Sequence, residues 1–204
     1  MQWLADFIRN FYEDMLRWCR KNPSWWLRAP LIAYFLYIFI NHLLDPNYQS
    51  LFGALNLGIH ELGHYLLCWA GEFLHAAGGT IWQCLAPIIA MYVFYRIPDF
   101  FAISFCFGWL STNFYNVATY VADARRHNLI LVTPGGGEAK HDWTYMLGRL
   151  GMLEWDDTFA LILRIAAFIS MIIFFVGGSW ILYQCAKKPP PEPMDYESAL
   201  GRKD

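Results

Sequence analysis

The run His60-Glu61-Leu62-Gly63-His64 carries the residues of this chain best suited to chemistry. In a helix, residues four apart stand one turn apart on one face, so both imidazoles can offer a ring nitrogen to a single ion. Glu61 then sits beside that ion without binding it. Zinc hydrolases use this arrangement to keep a coordination position for water, lower its pKa toward neutrality, and let the glutamate take its proton as water attacks a carbonyl. No other acidic, basic or imidazole side chain lies between Leu51 and Ala70. Placing such groups in an apolar segment is costly unless a partner offsets it, which makes the cluster a candidate functional site by default. The plainer use of the two histidines is hydrogen bonding to neighbouring helices. A haem does not fit, because one helix cannot set two histidines at this spacing on opposite faces of an iron.

Two histidines need a third protein ligand. His75, Asp123, His127, His141 and Asp142 are the available donors. Asp142 ranks first, because His141-Asp142-Trp143 opens a segment whose apolar residues, to Leu153, are spaced as in a helix resting on a membrane. Its structural alternative is an N-cap, which the helix dipole would also favour. Asp123, seven residues after Asn116, is the rival ligand, with pairing to Arg125 or Arg126 as its plainer role. His141 is open as a ligand or as a group that orients one.

The elements that must position these residues are membrane helices. The chain is 57% hydrophobic and 19% aromatic over 204 residues, more than one soluble core would hide. Runs near the roughly 20 residues that cross a bilayer fall at 25–44, 51–70, 80–95, 100–122 and 158–183, the third being the shortest. The expected fold is therefore all-α and polytopic, with about five transmembrane helices between residues 25 and 183. Residues 1–24 read as an amphipathic interfacial helix, with Trp3, Leu4, Phe7, Ile8, Phe11, Met15 and Trp18 at helical spacing. Residues 184–204, with Pro189-Pro190-Pro191, read as a disordered polar tail. Five spans would put the N-terminal segment and the 123–157 segment on one side, with nine basic residues against five, and so a cytoplasmic N-terminus. The basic residues of both termini argue instead for an even count. A net charge of -2 without a long basic block excludes nucleic acid as a partner. The five isolated cysteines read as small buried side chains.

These motifs resemble the site-2 protease-type intramembrane zinc metalloproteases, and more closely a small group of bacterial membrane proteins classed with that peptidase family. The closer likeness covers most of 51–155: the His60–His64 run, Gly71 to Thr80 with Gln83 and Pro87, Tyr120 to Arg125, and His141-Asp142-Trp143 to Gly151. It implies a protease fold in a bacterial plasma membrane, Zn2+ as cofactor, His60 and His64 as zinc ligands and Glu61 as the catalytic glutamate. Substrates would be membrane-bound or membrane-proximal peptides, with the lipid bilayer as the other partner. The chain departs from site-2 proteases at the third ligand: Asn116 to Asp123 lacks the proline and following glycine of their aspartate motif, which leaves Asp142 ahead. The alternative function is a non-proteolytic metal-binding membrane protein with a structural or partner-regulating role.

Gly78-Gly79 admits two readings, a flexible turn into the third span or a place where a substrate backbone approaches closely. Gln83, Asn113 and Asn116 are in-membrane amides suited to a scissile carbonyl, or to bonds between helices. Gly135-Gly136-Gly137 reads as a flexible linker.

Overall fold

The computed structural model describes residues 2–130 and 140–187; the Gly135–Gly137 linker and most of the 184–204 tail lie outside them. Among the described residues the structure is helical without strands: α1 (Gln2–Lys21), α2 (Ala29–Leu44), α3 (Phe52–Leu66), α4 (Glu72–Arg96), α5 (Phe100–Ala122), α6 (Asp142–Arg149) and α7 (Asp156–Ala186). The segments around α2, α4 and α7 are long and apolar enough to cross a membrane. Their outer faces leave Leu36, Ile40, Ile88, Val93, Ile169 and Val176 exposed, as lipid-facing residues must be.

α5 is long enough at 23 residues but less apolar, and its position explains why. It is the central helix, and its polar residues turn inward. The Ser104 hydroxyl donates to the Phe174 carbonyl (3.2 Å) and Ser111 to Ala167 (2.7 Å), while Ser170 of α7 donates to Phe107 (2.8 Å). These bonds pair α5 and α7 antiparallel, and a hydroxyl bonded to a backbone carbonyl is tolerable without water. Asp99 caps the start of α5, accepting from the Ala102 N–H at 2.9 Å, and Asp123 follows its end. No charged residue lies between them over a rise of about 34 Å.

Contacts fix the direction of each helix along the bundle. Met15 and Cys19 of α1 pack on Phe100, Phe101, Ile181, Leu182 and Cys185, so α1 lies where α5 begins and α7 ends. α2 runs parallel to α5: Gly108 abuts Phe35, His42 stacks on Tyr115 at 4.2 Å, and Thr119 donates to the Pro46 carbonyl at 2.7 Å. α3 also runs parallel to α5, with Asn56 bonded to Thr112 (3.3 Å) and Asn116 (2.6 Å), and the His60 ring 5.8 Å from Tyr120. Two successive helices parallel to the same neighbour require the link between them to double back. Residues 45–51 do so, carrying the Phe52 ring to within 5.3 Å of Phe35 and 6.1 Å of Phe105.

Two expectations change as a result. The run 51–70 does not extend the length of the bundle: α3 has 15 residues, a rise of about 22 Å, and it starts beside the middle of α5. Hydropathy alone cannot distinguish such a returning half-helix from a crossing. The chain traverses the bundle length in α2, α4, α5 and α7, an even number, so α1 and the end of α7 share one end. The segment around α6 lies at the other, not beside α1 as five spans would have it.

The remaining boundaries shift less. α4 begins at Glu72, well before the expected 80, and α7 continues to Ala186 inside the stretch expected as tail. Gly78 and Gly79 are neither turn nor exposed backbone. They lie inside α4, where Gly78 meets Gly63 of α3 so closely that a methyl on either would overlap the other's carbonyl.

Candidate metal centre

α3, α5 and α6 converge near the end of the bundle remote from α1. Gly63 and Gly78 let α3 and α4 approach backbone to backbone, and Gly79 leaves room for the His60 ring, its closest neighbour. The Oε1 of Gln83 lies 3.0 Å from His60 Nδ1, and the His75 carbonyl lies 2.7 Å from His64 Nδ1. Both oxygens only accept, so each Nδ1 donates and each neutral ring keeps its lone pair on Nε2.

Asp142 faces both lone pairs. Its Oδ2 lies 3.3 Å from His60 Nε2 and 3.2 Å from His64 Nε2. Three acceptor atoms so arranged repel one another unless the rings are protonated or a cation lies among them. Ligands about 2.0 Å from a tetrahedral zinc stand about 3.3 Å apart, so the donor set fits this ion in identity, and both Oδ2–Nε2 distances fit it in spacing. With both Nε2 atoms protonated, burial works to raise the Asp142 carboxyl but hydrogen bonds from the His60 and His64 rings prevail and hold it well below the usual carboxylate range; a cation among the three atoms acts in the same sense. It therefore stands as an anion at neutral pH. One oxygen of Glu61 lies within 4.8 Å of a ring nitrogen on each histidine, close enough to share a metal site with them. Among the described residues no hydrogen-bond donor engages the Glu61 carboxylate, which lines the cavity free to act on what enters it.

The loop before α6 does not leave Asp142 loose. Tyr120 binds it twice: its hydroxyl donates to Oδ2 and accepts from the Asp142 N–H, each at 3.1 Å. α6 is tied to α4 by Trp143 Nε1 donating to Thr80 Oγ1 (3.2 Å) and by Tyr145 donating to Glu72 (3.3 Å). Its inner face buries Leu147 among Val117, Val121 and Ala160.

The other donors lie elsewhere. His141 is the N-cap of α6, its Nδ1 accepting from the Thr144 N–H at 3.3 Å, so the cap that Asp142 might have supplied comes from its neighbour. Burial pushes His141 below the usual imidazole range, consistent with a neutral ring that accepts there. Asp123 accepts from the N–H groups of Asn128 (2.8 Å) and Leu129 (3.1 Å) and faces His141 at 3.6 Å, closing the turn after α5. His127 holds Thr144 at 3.2 Å, and His75 returns a bond to the His64 carbonyl at 3.0 Å.

Gln83 is committed to His60. Asn113 donates to the Trp109 carbonyl (3.1 Å), and Asn116 binds Asn56 and Gln49. Tyr120 enters the sequence reading only as the first residue of one stretch of the resemblance, with no role of its own, since a tyrosine near a helix end has many uses; Gln83 enters as part of that resemblance and as an amide in an apolar run.

A cavity of about 1040 Å³ joins these groups, running from Asp142 and Lys140 past Glu61 to Asn56, Gln49 and Ser50. Scanned against models of known families, curated proteins and solved structures, the chain returned no match.

Proposed function

We propose that the protein is a membrane-embedded, zinc-dependent peptidase acting on membrane-bound or membrane-proximal polypeptides. His60, His64 and Asp142 would hold the ion, with Glu61 as general base and then general acid. The observation that carries this reading is the convergence of Asp142 Oδ2 on two Nε2 lone pairs whose orientation Gln83 and the His75 carbonyl fix. Zinc in that position would supply Lewis acidity, polarising a carbonyl and acidifying water.

The chain's own residues do the rest. Glu61, one residue from His60 and without a competing donor, accepts a proton from water and returns it to the leaving amine. Asp142 would offset part of a bound ion's charge, and Tyr120 holds that carboxylate in place. The cavity seats a peptide segment beside Glu61. The α2, α4, α5 and α7 helices are read as four crossings of a bacterial plasma membrane, with the N-terminus in the cytoplasm.

The test is cleavage of membrane-anchored peptides in detergent or vesicles by wild type and Glu61→Gln, with zinc measured in both. Zinc in both and metal-dependent cleavage by wild type alone is the expected result. Zinc in both with no cleavage by either would favour a metal-binding protein that serves structure or a partner. Absence of zinc from wild type would remove the reading altogether.

A further inference from the structure

The two bundle ends differ in charge. At the α1 end, or on the chain entering and leaving it, stand Arg9, Arg17, Arg20, Lys21, Arg28, Arg96 and Lys187; at the α6 end stand Arg125, Arg126, Lys140 and Arg149. That is seven described basic residues against four, with Arg164 left aside inside α7. Because α3 returns instead of crossing, the residues around α6 no longer add to the N-terminal count. Basic residues close to span ends are retained in the cytoplasm, so the α1 end is the cytoplasmic one.

The depth of the site follows from α5. Tyr120 is twenty residues beyond Phe100 and three before Asp123, so it lies about 30 Å from the cytoplasmic end of the helix and within about 5 Å of its charged outer end. Glu61, His64 and Asp142 cluster at that level, and Lys140 lines the same cavity. Deeper in, the cavity wall carries Asn56, Gln49 and Ser50.

From this we infer that the His60–His64–Asp142 cavity opens on the extracytoplasmic face of the membrane and receives the segment of an anchored polypeptide that has just emerged from the bilayer there. The substrate part of this inference rests on the peptidase reading; the direction of the opening does not. A substrate bond presented at this level needs only the end of its helix to unwind, not a turn in mid-bilayer, so helices ending in extended polar chain on that face are the substrate class.

Cys68 supplies a natural reporter, being exposed at the α6 end while Cys19, Cys106 and Cys185 are buried. In intact cells a membrane-impermeant maleimide should label Cys68, and Arg149→Cys in a Cys68→Ser background, without permeabilisation. Lys21→Cys in that background should label only after it. Labelling of Cys68 and Arg149→Cys only after permeabilisation would overturn the orientation. In right-side-out vesicles, EDTA added outside should remove the zinc, and zinc lost only when EDTA is inside would contradict the opening.

For the substrate class, two single-span reporters with the same cleavable sequence, next to the bilayer on either face, separate the cases. Cleavage of the extracytoplasmic reporter is expected. Cleavage of the cytoplasmic one alone would refute this inference and leave the peptidase reading intact. Cleavage of neither, with Cys68 labelled from outside, would refute the peptidase reading and the substrate class, leaving the direction of the opening.

Discussion

Gly79→Ala tests the centre through one methyl group. A Cβ at position 79 would lie 2.6 Å from both Cδ2 and Cε1 of the His60 ring, with Nε2 nearer still. Carbon atoms in contact prefer about 3.5–4.0 Å, so the ring or α4 must shift by about 1 Å. Neither move is easy, because α4 is pressed against α3 at Gly63 and Gly78 and the ring is held by Gln83. Overpacking of this kind costs about 1–3 kcal/mol, and metal–ligand distances tolerate only about 0.2 Å.

Gly58→Ala is the matched control: it lies on the same helix as His60, with no atom within 4 Å of its added methyl. An alanine there gains up to about 1 kcal/mol of helix propensity. Competition against a chromophoric chelator in detergent should show zinc affinity at least about tenfold weaker for Gly79→Ala, while Gly58→Ala stays within about twofold of wild type. Equal affinities, with both variants folded by circular dichroism, would refute the packing of His60 against Gly79 or its role as a ligand. His60→Ala, tested in parallel, distinguishes those two outcomes.

Asp142→Ala should weaken zinc binding by an order of magnitude or more and Asp123→Ala by less than about tenfold in the same assay, the reverse order transferring the ligand role to Asp123. Tyr120→Phe removes the hydroxyl that holds both the N–H and the carboxylate of Asp142, so zinc affinity should fall about 10–100-fold and the visible spectrum of the Co2+-substituted protein should change; an unaltered spectrum and affinity would make that hydroxyl dispensable. Arg125→Ala leaves the buried Asp156 carboxylate without the guanidinium 2.6 Å away and should lower the midpoint of denaturant titration without changing zinc stoichiometry.

The His60–His64 pair was legible because a helical repeat is local, and five residues suffice to place two rings on one face. Asp142 could be ranked but not placed, since its approach depends on Tyr120, Trp143 and Leu147 meeting residues of other helices. Gly78 and Gly79 misled for a physical reason: a glycine pair can mark a turn or a close helix contact, and only the facing Gly63 distinguishes them. The return of α3 was equally hidden. An apolar run of twenty residues predicts a crossing unless something breaks its direction, and that something is the bonding of Pro46 and Gln49 to Thr119 and Asn116 of α5. The conflict between a count of five and basic residues near both termini already pointed to an even number.

The short α3 also bears on the order in which the protein is made. A half-helix carrying Asn56, His60, Glu61 and His64 has little reason to stay in lipid alone; it is retained by polar groups of α5, including Trp109, whose indole donates to Asn56 Oδ1 at 2.9 Å. Those groups leave the ribosome some fifty residues after the histidines, and Asp142 later still. The nascent chain thus carries His60, Glu61 and His64 without their neighbours until the helices that shelter them have been synthesised, so the cluster assembles late in synthesis.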